Sequence, residues 1–338
     1  MPSTQNFPRI VIVGATTLRG KELVDLLKER IPSADLKLLD EEIAEGILTE
    51  AAGEPAIIQS VDPESFENAR IVFFAGKPEF AAKHADDALR NSPFVIDLSG
   101  GFRNRVDVLQ WIPSLDAALP PSPPAAGKAS KAYYSPSAPV IISCALAAGL
   151  MQWSPTGASI VFLQPVSERG QDAIEELERQ TVSLLSFQPI GKTVYDAQVA
   201  FNVMDRYGEA SAERLGATRE SIARDVASYL GSRAAIPAIQ LLQAPVFHSH
   251  GFSAFAELKS SPEPDGVEKS LIAAGFKFPD DNEPAPSLIS ASGEPKPLLG
   301  HVERDPNRLG GYWFWGAADN LRVTAENAVT IAERVLKF

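Results

Sequence analysis

Residues 9–30 constrain this chain more tightly than any other stretch. A β-branched run, RIVIVGA (9–15), stops at a glycine, and GKELVDLLKER (20–30) follows with Leu23, Leu26 and Leu27 at helical spacing and its charges opposite them. A strand feeding straight into an amphipathic helix is the first half of a βαβ unit, which calls for a parallel sheet with helices on its faces. The next hundred residues keep that rhythm, with candidate strands LKLLD (36–40), AIIQSV (56–61), IVFFAG (71–76) and FVIDLSG (94–100).

The turn VIVGATTLRGKEL sits where backbone N–H groups and a helix dipole can hold a pyrophosphate. Gly14 and Gly20 fit the first and last glycines of the dinucleotide fingerprint. Thr17 stands where the close-approach glycine is expected, and its Cβ narrows the space for phosphate. The loop therefore reads either as a dinucleotide cradle or as a plain strand-to-helix turn. Asp40, Glu41 and Glu42 close the second strand. A carboxylate there accepts hydrogen bonds from a ribose 2′-hydroxyl and repels a 2′-phosphate, so a bound dinucleotide is expected to be NAD rather than NADP.

Residues 113–139 carry seven prolines and no periodic apolar pattern, which marks a connection and sets a domain boundary at 139. Beyond it the pattern turns to α+β: a strand at 157–164, helices Gln171–Leu185 and Arg219–Leu230, and a long alternating strand at 245–258. Ala328, Val329, Ala332, Val335 and Leu336 form one stripe of a closing amphipathic helix. The 338 residues contain 43 acids and 31 bases, a net charge of −12 that repels phosphate backbones and anionic lipid. Nucleic-acid and membrane partners are not expected. With no leader-like start and no bilayer-length apolar run, the expected location is cytoplasmic.

The single cysteine, Cys144, lies in PVIISCALAAGL (139–150). It is either one more buried apolar side chain or a nucleophile, and the second needs a helix N-terminus or an imidazole to lower its pKa. The segment ISCALAAGL reads as a helix starting at the cysteine. His248 and His250, in APVFHSHGFSAFAEL, share a face of an alternating strand. They are candidate acid/base groups, plain strand histidines or, with Cys144, metal ligands; no further Cys or His lies near enough in sequence to make metal the expectation. Gln164 ends a β-branched run as a solvated or a catalytic residue. Arg103, in DLSGGFR, follows the fifth strand, where open sheets collect ligands, or faces solvent.

Taken in order, VGATTLRGKEL, VIDLSGGFR, a cysteine opening a helix, LQPVSERGQDAIEELERQT, AFNV, APVFHSHGFSAFAEL and GAADNLRVTAENAVTIAE resemble the aspartate-semialdehyde dehydrogenase family over nearly the whole chain. The resemblance implies an α/β fold: a Rossmann-type dinucleotide-binding domain (1–139), an α+β catalytic and dimerisation domain (140–318) and a C-terminal helix (319–338) returning to the first. It also implies a homodimer, a place in amino-acid biosynthesis, NAD or NADP as cofactor, and a small semialdehyde or acyl phosphate as substrate. By resemblance Cys144 is the nucleophile, Gln164 orients the intermediate, His250 is the acid/base, and Arg103 and Gln243 face the substrate. Gly14, Thr16, Thr17, Leu18, Gly20, Asp40, Ser167, Gly170 and Asn320 line the cofactor. In that chemistry a thiolate adds to the aldehyde, hydride leaves for the nicotinamide, and phosphate cleaves the thioester.

The chain departs from the family at several of these points. Gln243 replaces the arginine that clamps the substrate carboxylate, losing a charge-assisted bidentate contact. The Ser-Gly-x-Gly turn at the nicotinamide reads Ser167-Glu168-Arg169-Gly170, the Pro-Val-Phe-Tyr-Gly-His segment reads Pro-Val-Phe-His-Ser-His, and Arg224 is the only candidate for a lysine expected near 220–224. Three readings follow: a phosphorylating semialdehyde dehydrogenase, a noncatalytic dimeric binding or regulatory relative, and a cofactor-free thiol esterase using Cys144 and His250.

Overall fold

The computed structural model describes residues 8–41, 48–51, 54–120, 130–280 and 282–336. Glu42 and residues 121–129 of the proline-rich connection lie outside the described residues. In chain order the elements are β1 (Arg9–Val13), α1 (Leu18–Arg30), β2 (Asp35–Asp40), β3 (Leu48–Ala51), β4 (Glu54–Ile57), β5 (Gln59–Ser60), β6 (Ile71–Phe74), α2 (Pro78–Asn91), β7 (Val95–Asp97), β8 (Val108–Gln110) and β9 (Ala132–Tyr134). They continue with α3 (Ala138–Leu150), β10 (Pro155–Gln164), α4 (Gln171–Leu185), α5 (Leu215–Leu230), β11 (Ala238–Gln243), β12 (His250–Leu258), α6 (Pro264–Ala273), β13 (Leu298–Leu299), β14 (Glu303–Arg304), β15 (Gly311–Ala318) and α7 (Asn320–Leu336).

The chain divides into two compact units, one of residues 1–113, 123–136 and 324–338, the other of 114–122 and 137–323. The first unit is a seven-stranded, all-parallel sheet in the order β5-β2-β1-β6-β7-β9-β8. One face buries Ile10, Ile12, Ile71 and Phe73 with Leu23, Leu26 and Leu27 of α1 and Ala325, Ala328, Val329 and Ala332 of α7. The other buries Val11, Val13, Val72 and Phe74 with Ala81, Ala85 and Ala88 of α2. Strands buried on both faces read as unbroken apolar runs, which is why these were visible in the sequence. The run at 56–61 is the exception: it divides into β4, which forms a separate hairpin with β3, and β5, which joins the main sheet beside β2.

The second unit is built on a mixed sheet in the order β11-β10-β12-β15-β13, with β14 also on β15. β10 runs parallel to β11 and antiparallel to β12. Helix α3 lies against α5, α6 and β10, and all thirteen of its residues are buried. The expected start of this helix at Cys144 is corrected: it opens at Ala138, with Ser137 at the N-cap and Pro139 in the first turn. Val140, Ile141 and Ile142 favour strands locally, but full burial between helices and sheet overrides that weak preference. The expected strand 245–258 also shortens, to His250–Leu258, because Ser249 takes a left-handed backbone (φ 69°) that breaks the extended chain. β11, a short edge strand, was not read from the sequence.

Candidate functional site

In the first unit the site is made by backbone. Gly14 has φ 85°, and a Cβ there would lie 2.3 Å from the amide nitrogen of Gly76; a Cβ on Gly20 would lie 2.1 Å from the Gly14 carbonyl oxygen. Both positions thus require glycine, one for conformation and both for close packing of the β1–α1 turn. Thr17 is the N-cap of α1: its hydroxyl accepts from the Gly20 amide (3.0 Å) and donates toward the carbonyls of Gly14 (2.8 Å) and Ala75 (3.1 Å). That cap is worth about 1 kcal/mol and consumes one first-turn amide. The amides of Leu18 and Arg19, in the same turn, have no intrahelical acceptor by geometry and are the donors available to an anion.

The Asp40 carboxylate, expected to face a ribose, is turned onto the loop. Its Oδ2 accepts from both the amide (2.9 Å) and the hydroxyl of Thr16, and its Oδ1 from the Glu41 amide (2.9 Å). Glu41 in turn is paired with Lys77. Arg19 donates to the Leu98 carbonyl (3.0 Å) beyond β7. Asp97, fully buried, receives the amides of Ser99, Gly100 and Phe102 and the Ser99 hydroxyl; burial pushes its carboxyl up while these bonds and Arg19 pull against that. This knot shapes the loop that carries Arg103, whose guanidinium donates to the Tyr134 hydroxyl (2.8 Å) and lies over that ring.

In the second unit sheet register assembles what the sequence had left scattered. Gln164 and Gln243 are direct partners in the parallel β10–β11 pair, and His250 opens β12 at the same end of the sheet. The Gln164 amide donates to the Tyr207 hydroxyl (3.0 Å) and to Gln243 Oε1 (3.2 Å); Tyr207 donates to Gln243 Oε1 (2.9 Å); the Gln243 amide donates to the carbonyls of Gln164 and Ala244 (2.9 and 3.0 Å). Gln243 is fully buried and all its polar atoms are occupied within the chain. His250, also fully buried, meets the Glu168 carboxylate through Nε2 (3.2 Å), packs edge-on to Phe162, and keeps Nδ1 without a partner. Glu168 and Arg169 stand in the turn whose Ser-Glu-Arg-Gly sequence departs from the family pattern.

Cys144 is not part of this cluster's bonding. It lies six residues into α3, has no exposed surface, and the charged groups acting on it are Asp225 of α5 and Arg233 beyond it. Burial pushes its thiol well up, against the lowering a nucleophile needs. The residue at the helix start is Ala138. His248 is exposed in the turn before β12, so it does not share a strand face with His250, and Arg224 is exposed on α5. Ser167 and Asn320 bond one another, and Asn320 also accepts from the Ser249 amide (3.1 Å). Gly170 (φ 84°) is the N-cap of α4. Among the described residues no group of three His, Cys, Asp or Glu side chains could hold a metal. No helix among them is long and apolar enough to cross a membrane.

The first unit is thus a parallel sheet covered on both faces, and the second a mixed sheet with a side-chain cluster at the ends of β10, β11 and β12. The profile of the semialdehyde dehydrogenase NAD-binding domain matches residues 9–119, and that of the semialdehyde dehydrogenase dimerisation domain matches residues 148–323. The chain belongs to the semialdehyde dehydrogenase family. It is 29% identical over 337 residues to the USG-1 protein homolog of Azotobacter vinelandii and 27% identical over 335 residues to the aspartate-semialdehyde dehydrogenase of Shewanella violacea, with 97% of each chain covered in both cases. Its fold matches the structure of a probable aspartate-semialdehyde dehydrogenase from Pseudomonas aeruginosa with a TM-score of 0.86 at 28% identity, covering 98% of this chain and 99% of that one.

Proposed function

We propose that this protein is a noncatalytic member of its family: it holds a nicotinamide dinucleotide in its N-terminal domain, pairs with a second copy through its C-terminal domain, and performs no thioester step at Cys144. The observation that carries this reading is the position of Cys144, sealed in the interior of α3 with its thiol pushed up. Gly14, Gly20 and the first-turn amides of α1 suit a pyrophosphate, and the acidic end of β2, with Asp40 held by Thr16, disfavours a 2′-phosphate. The dinucleotide, when bound, would supply hydride chemistry; within the second unit Glu168 occupies His250, and Gln243 is saturated. The half-exposed Trp313, Trp315 and Phe255, on the open face of the mixed sheet, give a second copy an apolar surface to cover.

A phosphorylating semialdehyde dehydrogenase is the second reading. One observation favours it: Gln164, Gln243 and His250 meet at one end of a sheet. The test is a calorimetric titration with NAD, NADP and buffer alone, followed by a phosphate-dependent assay of NAD and NADP reduction with a semialdehyde. Dinucleotide binding, tighter for NAD, without turnover is expected. Turnover lost in Cys144→Ala would reject the proposal.

A further inference from the structure

Arg169 lies buried, with 7% of its side chain exposed, its guanidinium carbon 5.1 Å from the ring centre of Tyr195 and 5.0 Å from that of Tyr207. Nη1 donates to the Val194 carbonyl (2.9 Å) and the Ser211 hydroxyl (3.1 Å). Nε makes no hydrogen bond, Nη2 makes none among the described residues, and the fully buried Tyr195 hydroxyl is likewise without a partner. Buried donors from separate segments are rarely left unmatched. The carboxylate facing Nε is Glu213, 3.4 Å away without hydrogen-bond alignment, on a side chain 58% exposed to solvent.

We propose that Arg169 is a receptor for the carboxylate of a small organic acid, a site that Glu213 occupies loosely and gives up on binding. The Nε and Nη2 edge of a guanidinium is the fork that takes a planar carboxylate in two parallel bonds. The flanking rings keep water from the cation and strengthen its pull on an anion. Glu168, paired with His250 one residue away, places negative charge beside the site, so a carboxylate group, which brings one charge to the fork and leaves any second charge at the far end of the molecule, is favoured over phosphate. This inference rests on the reading that the second unit performs no thioester step.

The test is calorimetry on the full-length protein with succinate, and with succinamide and inorganic phosphate as parallel arms. Succinate is expected to bind, and the other two to give no heat. Glu213→Gln, a change on a solvated side chain, is expected to tighten succinate several-fold. Arg169→Lys is expected to weaken it roughly tenfold, with circular dichroism confirming that it folds. Absence of succinate binding in both the parent and Glu213→Gln overturns the proposal, as does affinity unchanged in Arg169→Lys or phosphate binding equal to succinate. Semialdehyde turnover would instead overturn the noncatalytic reading and leave these affinities as measured.

Discussion

The cradle between β1 and α1 and the cluster at the end of β10, β11 and β12 belong to one family signature but are made of different material. The cradle is backbone: two glycines that admit no side chain, a helix start, and a threonine cap in place of a third glycine. The cluster is side chains, and here the individual substitutions act together. Glu168 pairs with the histidine, Gln243 closes on Gln164 and Tyr207, and the cysteine is drawn into a helix interior. On the proposed reading, backbone geometry keeps a dinucleotide site through one altered residue, whereas the burial of Cys144 leaves the side-chain cluster without a nucleophile.

The sharpest way to break the comparison is Gly14→Ala. With φ 85° and a Cβ 2.3 Å from Gly76, it is expected to cost about 3 kcal/mol or more and to abolish dinucleotide binding, read by urea unfolding and titration. Cys144→Ser, which puts a hydroxyl where the thiol is sealed, is expected to cost about 2 kcal/mol while leaving dinucleotide affinity unchanged.

The same thiol gives a pH signature. Its folded pKa is raised, so the folded chain keeps the proton while the unfolded chain loses it near pH 8.5. This contribution is intact below that pH and falls away as pH rises above it, by about 1.4 kcal/mol per unit, a slope absent from Cys144→Ala.

Ser249→Gly relieves a left-handed serine with an unpartnered buried hydroxyl and should add about 1 kcal/mol, seen as a higher melting temperature. Thr17→Gly should change stability by only a few tenths of a kcal/mol while tightening dinucleotide binding, because it frees the Gly20 amide and clears the Cβ.

Much of this was legible from the order of residues. Doubly buried parallel strands announce themselves as apolar runs, and Gly14 and Gly20 mark their turn because no other residue fits. Gln164, Gln243 and His250 could be named as candidates, but their meeting depends on the register of β10 with β11 and β12, which no local pattern encodes. The expected helix start at Cys144 fell six residues late for a physical reason: Val140, Ile141 and Ile142 are weak helix formers, yet Ser137 and Pro139 had already begun the helix. The serine and proline were the available signal. Asp40 likewise marks the end of β2 correctly, yet its partner turned out to be Thr16 rather than an open crevice.

The most direct measurement is the rate at which iodoacetamide alkylates the folded protein between pH 7 and 9.5, followed by intact mass, since Cys144 is the only thiol to be counted. Modification no faster than global unfolding, rising to completion only in denaturant, is the predicted result. Rapid alkylation of the native state with an apparent pKa below about 8 would mean an exposed, activated thiolate and would contradict the account.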